Sequence, residues 1–226
     1  RLKETFERTE KKYVLSLEKY ISLMKRLDQY LIEDRHFKSS IRSIYYDNDN
    51  YQMINRSMEC PFYKEKLRIR AYEDNPKTVY VEFKRKLDGV VYKRRTKALY
   101  PDILDIKSCD FTDKQIGEEI KYAIKYYGSV EPKVFIATER TSYRTEDNIR
   151  ITFDENMVYR FTNLSLNRSA EDKSIGDFKV MEIKASGSYP LWLSEILSEE
   201  GIFPRGFSKV KGAMLRENGG ISYVTF

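Results

Sequence analysis

With 226 residues, 41% hydrophobic and 14% aromatic, the chain is long enough to bury a core and too apolar to stay unfolded. Charged residues reach 34%, and 41 Lys and Arg against 35 Asp and Glu leave a net charge of +6, so an anionic partner is expected. Two cysteines, Cys60 and Cys109, exclude a disulfide framework, and no apolar run is long enough to span a membrane.

In chain order, residues 7–14 read as a first strand with Arg8, Glu10 and Lys12 on one face. Ser16 opens an amphipathic helix whose apolar stripe is Leu17, Tyr20, Ile21, Met24, Leu27 and Leu31. A strand over 40–46 runs into the polar turn Asp47-Asn48-Asp49-Asn50. Strands over 63–73, 78–87 and 90–98, separated by Asp74-Asn75-Pro76 and Leu87-Asp88-Gly89, make an antiparallel meander. Thr112 and Gln115 suit a capping box for a helix to Tyr127, stopped by Gly128. Strands over 132–144 and 148–155 follow, then an irregular segment over 158–176 and a strand over 178–185. Pro190 begins a short helix ending at Gly201, and 207–216 reads as a last helix.

The alternation of several strands carries charge where a barrel would place its core. Lys66, Arg68 and Arg70 alternate with Leu67, Ile69 and Ala71; Glu82, Lys84 and Lys86 share a face with Val81 and Phe83 between them. Arg150, Thr152 and Asp154 alternate with Ile151 and Phe153, and Glu182 and Lys184 with Met181 and Ile183. Strands with inserted helices and no composition break suggest one α+β domain over 1–226, an antiparallel β-barrel of about eight strands with helices outside, which the resemblance given below makes a tunnel. Several cations brought together repel by roughly 4 kcal/mol per pair at 4 Å and an effective dielectric near 20, so a counter-charge is required, water and ions in the empty state or phosphate in the filled one. Glu182 among them can neutralise Lys184 or hold a divalent metal.

Other chemistries are poorly served. The one histidine, His36, reads as a surface residue, which argues against Ser-His-Asp and Cys-His sites. No Gly-rich phosphate loop of the common nucleotide folds occurs.

Glu7-Arg8-Thr9-Glu10-Lys11-Lys12-Tyr13, Ser43-Ile44-Tyr45-Tyr46-Asp47-Asn48, Lys66-Leu67-Arg68-Ile69-Arg70-Ala71-Tyr72 and Val81-Glu82-Phe83-Lys84-Arg85-Lys86 are followed by a second group. It consists of Glu139-Arg140-Thr141-Ser142-Tyr143, Arg150-Ile151-Thr152-Phe153-Asp154, Met181-Glu182-Ile183-Lys184 and Phe207-Ser208-Lys209. In this order the strings resemble the polyphosphate polymerase domain of the vacuolar transporter chaperone (VTC) family, within the triphosphate tunnel metalloenzyme (CYTH-like) superfamily. The resemblance covers nearly the whole chain. It implies an enzyme that moves the γ-phosphate of ATP onto inorganic polyphosphate with Mn²⁺ or Mg²⁺. It places Lys12, Arg68, Arg70, Lys84, Arg140, Arg150 and Lys209 on phosphates and Glu182 at the metal. Lys66, Lys86, Arg94 and Lys184 share parity with matched positions and are further phosphate-binding candidates.

The triphosphatase branch carries Glu-x-Glu-x-Lys on its first strand; here Arg8-Thr9-Glu10-Lys11-Lys12 has arginine in place of the first glutamate, which favours a basic polymer-binding tunnel. A tripolyphosphate or nucleoside-triphosphate hydrolase in the same tunnel is the alternative enzyme. A non-catalytic polyphosphate- or RNA-binding module is the alternative outside catalysis. The expected partners are ATP and inorganic polyphosphate or triphosphate, with no nucleic acid and no membrane segment. The expected location is cytoplasmic, alone or as the cytosolic domain of a larger protein.

Overall fold

The computed structural model describes residues 8–60, 62–72, 76–88, 90–100 and 105–219. Among them the strands are β1 (Arg8–Leu15), β2 (Ile32–Asp47), β3 (Tyr63–Ala71), β4 (Thr78–Leu87), β5 (Val90–Leu99), β6 (Glu131–Arg144), β7 (Arg150–Arg160), β8 (Lys173–Ser174) and β9 (Lys179–Ser186). The helices are α1 (Leu17–Leu27), α2 (Gln52–Glu59), α3 (Lys114–Tyr127), α4 (Leu191–Glu199) and α5 (Lys209–Glu217). Hydrogen bonding orders the strands β1-β9-β7-β6-β2-β3-β4-β5, with β8 on β7, and the order runs from β1 to β5 without returning. This is the expected α+β fold: antiparallel pairing with helices on apolar faces, built as an open run of strands. No helix among the described residues is long and apolar enough to cross a membrane.

The chain divides into two compact units. Unit 1 comprises Arg1–Ser39, Thr138–Met157 and Ser174–Phe226, and unit 2 comprises Ser40–Ala137 and Val158–Lys173. In unit 1, β1, β9 and β7 present Tyr13, Leu15, Met181, Ile183, Ile151 and Phe153 to a core closed by Leu23 and Leu27 of α1 and Leu193, Ile196 and Leu197 of α4. In unit 2, Leu67, Ile69, Val79, Val81 and Ala98 of β3–β5 meet Met53 of α2 and Ile120, Ile124 and Tyr127 of α3. Period-2 alternation leaves the other face of each set of strands polar.

Local chemistry sets the boundaries, and several differ from the sequence reading. α1 stops at Leu27, capped by Ser16 accepting from the Lys19 N–H, and Leu31 lies beyond a 3₁₀ turn. β2 begins eight residues early, because 32–39 is mostly exposed and carries no period-2 alternation to read. α2 arises just after the expected Asp47–Asn50 turn, over residues where the sequence reading placed no element. The Asp47 carboxylate accepts from the N–H groups of Asn48, Met53 and Ile54, and Asn48 Oδ1 accepts from Gln52, which together satisfy the first-turn donors. Tyr51, at φ 53°, turns the chain into it.

α3 is capped by Asp113, whose carboxylate accepts from Ile116 N–H, in place of the expected Thr112 box; Gly128 ends it at φ 81°. β7 runs five residues past its expected end. Parts of the Asp74-Asn75-Pro76 and Leu87-Asp88-Gly89 turns, and Glu7, lie outside the described residues. His36 lies exposed on β2, a surface position as the sequence suggested.

Candidate phosphate and metal site

In unit 1 the polar face is built by register. Glu10, Lys184 and Arg150 line up across β1, β9 and β7, and Lys12, Glu182 and Thr152 form the next row. Glu182 is mostly buried, with Oε1 2.9 Å from Lys184 Nζ and Oε2 3.8 Å from Lys12 Nζ. Burial alone would raise its pKa, but Lys184 and then Lys12 outweigh it and hold the carboxyl at about 2. Lys184 also lies 3.6 Å from Glu10. The Thr152 hydroxyl, in register with Glu182, is buried with no hydrogen-bond partner among the described residues.

Beside these rows, Arg140 of β6 grips Asp154 of β7 through both carboxylate oxygens, at 2.6 and 2.8 Å. Lys209, at the start of α5, donates to the same carboxylate. Burial opposes ionisation of Asp154, yet Lys209 and Arg140 drive its pKa below the ordinary carboxylate range. The Lys209 pKa is lowered, first by burial and then by Arg140 and Lys12, against the pull of Asp154. The N–H of Arg205 donates to the Lys12 carbonyl at 2.7 Å, and Phe207 packs edge-on against Phe178, so the segment leading into α5 is tied to β1 and carries Lys209 to Asp154. Arg150 is turned to a different carboxylate: its Nε is 3.0 Å from Asp34, which also pairs with Arg144.

In unit 2 the polar face of β3–β5 forms three rows: Lys66-Lys84-Lys93, Arg68-Glu82-Arg95 and Arg70-Tyr80-Lys97. Seven cations share these rows with one carboxylate. Arg68 sits at the centre, donating to Glu82 Oε2 at 2.8 Å and to Tyr45 Oη at 2.9 Å. Glu82 is also 3.3 Å from Lys93 and 3.2 Å from Arg95. Burial pushes its pKa up, but Arg68, Arg70 and Lys93 bring it down to about 2. Arg70 bonds Ser43, and its pKa is lowered by burial and by Arg68. Arg95 stacks on Tyr80 at 3.7 Å.

Of the sequence candidates, unit 1 therefore brings together Lys12, Arg140, Lys184, Lys209 and Glu182, with Arg150 at one end of the face. Unit 2 brings together Lys66, Arg68, Arg70 and Lys84. Lys86 continues that parity one row beyond Lys84, opposite Lys64. Arg94 does not share it. The register sets Arg94 opposite Phe83 on the helix-covered face, where it pairs with Glu119 of α3. Its neighbours Lys93, Arg95 and Lys97 occupy the charged face instead, and only the β4–β5 register distinguishes the two sets.

The donor set fits a divalent ion in one specific way. No cluster of three His, Cys, Asp or Glu side chains occurs among the described residues, so no all-protein cage is formed there. Mg²⁺-type sites are commonly completed by one or two carboxylates, substrate phosphates and water, which Glu182, with Glu10 in the adjacent row, can serve.

The VTC domain family matches this chain over residues 7–215. No curated protein matches it. Among solved structures, it is similar to a Bacillus halodurans protein provisionally assigned as an adenylate cyclase. That match has 17% identity and a TM-score of 0.54, covering 88% of this chain and 92% of the other. It is also similar to a Hippeastrum protein provisionally assigned as an adenylyl cyclase and reported with a dominant triphosphatase activity. Here the identity is 15% and the TM-score 0.53, over 95% of this chain and 97% of the other. At these identities the two structures speak for the fold, while the family match spans nearly the whole sequence: the chain belongs to the VTC domain family.

Proposed function

We propose that the chain is a metal-dependent polyphosphate polymerase, transferring the γ-phosphate of ATP to a growing inorganic polyphosphate chain. The observation that carries this reading is the charged face of β3–β5, where the three described rows gather Lys66, Lys84, Lys93, Arg68, Arg95, Arg70 and Lys97 around Glu82. Forked arginines and point-charge lysines gathered on one face suit phosphate oxygens. In this reading Arg68, Arg70, Lys84, Lys66 and Lys86 of unit 2 bind phosphates, as do Lys12, Arg140, Arg150, Lys184 and Lys209 of unit 1.

Glu182 would hold Mn²⁺ or Mg²⁺, with phosphate oxygens completing the coordination; a bound ion offsets charge on the phosphoryl oxygens. Asp154 keeps Arg140 and Lys209 charged and fixed, so that they meet developing phosphoryl charge without reorganising. The attacking group is a terminal phosphate of the polymer, already anionic, so no protein nucleophile or general base is needed.

Incubation of the purified chain with ATP and Mn²⁺, resolved on a polyphosphate gel, tests the proposal. A polymer ladder with ADP supports it. Orthophosphate with ADP and no ladder would identify a hydrolase, the activity reported for the similar Hippeastrum protein.

A further inference from the structure

The helix-covered side of β3–β5 carries a second basic feature. Beyond the core of unit 2, an open cleft of about 1040 Å³ lies along α3. Tyr92 on β5 and Tyr122 and Tyr126 on α3 line it while 56%, 77% and 71% exposed, so they are not core tyrosines. On α3, Lys121, Tyr122, Lys125 and Tyr126 recur at three- and four-residue spacing and make one stripe of alternating ring and charge.

The cleft lining holds five cations and two carboxylates. Arg94 and Lys121 are paired with Glu119 and Glu118, and Arg85 with the buried Glu65. Arg56, 4.2 Å above the Tyr63 ring, and Lys125 form no carboxylate pair among the described residues. Arg56 and Lys125 thus share the lining with the exposed rings of Tyr92, Tyr122 and Tyr126, a combination that suits a ligand both anionic and planar.

Inorganic polyphosphate supplies the charge but no ring. An open cleft with separated aromatic platforms also suits a strand better than an enclosed single base. We propose that this cleft binds single-stranded nucleic acid, with bases stacked on Tyr92, Tyr122 and Tyr126 and phosphates on Arg56 and Lys125. The site is distinct from the phosphate rows of unit 2, because register puts the two on opposite faces of β3–β5. It departs from the sequence expectation of no nucleic-acid partner, and it stands or falls independently of the polymerase reading.

Fluorescence anisotropy of a labelled oligouridylate tests it, using the parent chain, the Tyr122→Ala/Tyr126→Ala double variant and Lys125→Glu. All three positions lie on the outer side of α3, and circular dichroism checks that each variant is folded. The double variant, which removes two stacking platforms, is expected to bind at least about 30-fold more weakly. Lys125→Glu is expected to bind more weakly and with a shallower salt dependence. Absence of binding by the parent overturns the proposal, as does equal binding by folded variants. Displacement of the oligomer by uridine monophosphate at equal molar concentration also overturns it, since that result describes a single-nucleotide pocket.

Discussion

Lys12 and Glu182 are register partners across β1 and β9, and their charged atoms stand 3.8 Å apart. Lys184, two residues along β9, approaches the same carboxylate from the next row at 2.9 Å. Glu182 is thus ionised and oriented by cations before any ligand arrives. A carboxylate in that state can take a metal by relaxing one of two ion pairs, with no proton to lose.

Acid should destabilise the fold through Glu182 and Glu82. Both carboxyls are held at about 2 in the folded protein, against an ordinary 4.5. The unfolded chain binds these protons at higher pH, so the stability they provide is present above about 4.5 and is lost as pH falls towards 2. Thermal melts across that window should show a falling midpoint; a flat profile would contradict the ion-paired state of both groups.

Asp154→Ala should be costly, because it strands Arg140 and Lys209 together in a largely buried site. Removing one partner of a buried ionic cluster costs about 3–5 kcal/mol. Urea unfolding measures this, and Asp154→Asn, which keeps the shape and some hydrogen bonding, should lose less.

Arg68→Ala should weaken binding of tripolyphosphate on the order of 10- to 100-fold, the scale of one charge-assisted contact. Lys93 and Arg95 remain beside Glu82, so the fold should survive. Arg68→Lys should recover only part of the affinity, since the charge returns without the fork. Calorimetric titration with tripolyphosphate reads both.

Chelation of divalent ions should stop turnover without lowering the melting midpoint. Lys184 and Lys12 already neutralise Glu182, so an ion there is not needed for folding. A drop in the midpoint on adding EDTA would point instead to a structural metal.

The faces of β3 and β9 were legible in the sequence because side chains alternate with a period of two. Once Leu67 and Ile69 are assigned to the core, Lys66, Arg68 and Arg70 can only lie opposite. β5 resists the same logic. Its Lys93-Arg94-Arg95 run is cationic at every position, and only pairing with Glu82 and Phe83 reveals that Arg94 belongs to the other face.

The partners of Asp154 were hidden for another reason. Arg140 comes from the neighbouring strand and Lys209 from a helix 55 residues on, placed there by the Arg205–Lys12 backbone bond. α2 was missed because its start depends on the Asp47 and Asn48 side chains capping across Tyr51 in a left-handed turn, a signal that reads equally as a plain loop.

The most direct test follows transfer of labelled γ-phosphate from ATP in the presence of Mn²⁺, comparing the parent chain with Glu182→Gln. Label should accumulate in polyphosphate with the parent and fall by at least ~10²-fold in the variant, at an unchanged far-ultraviolet spectrum. Equal incorporation by a folded Glu182→Gln protein would remove Glu182 from the mechanism, and release of the parent's label solely as orthophosphate would contradict the polymerase itself.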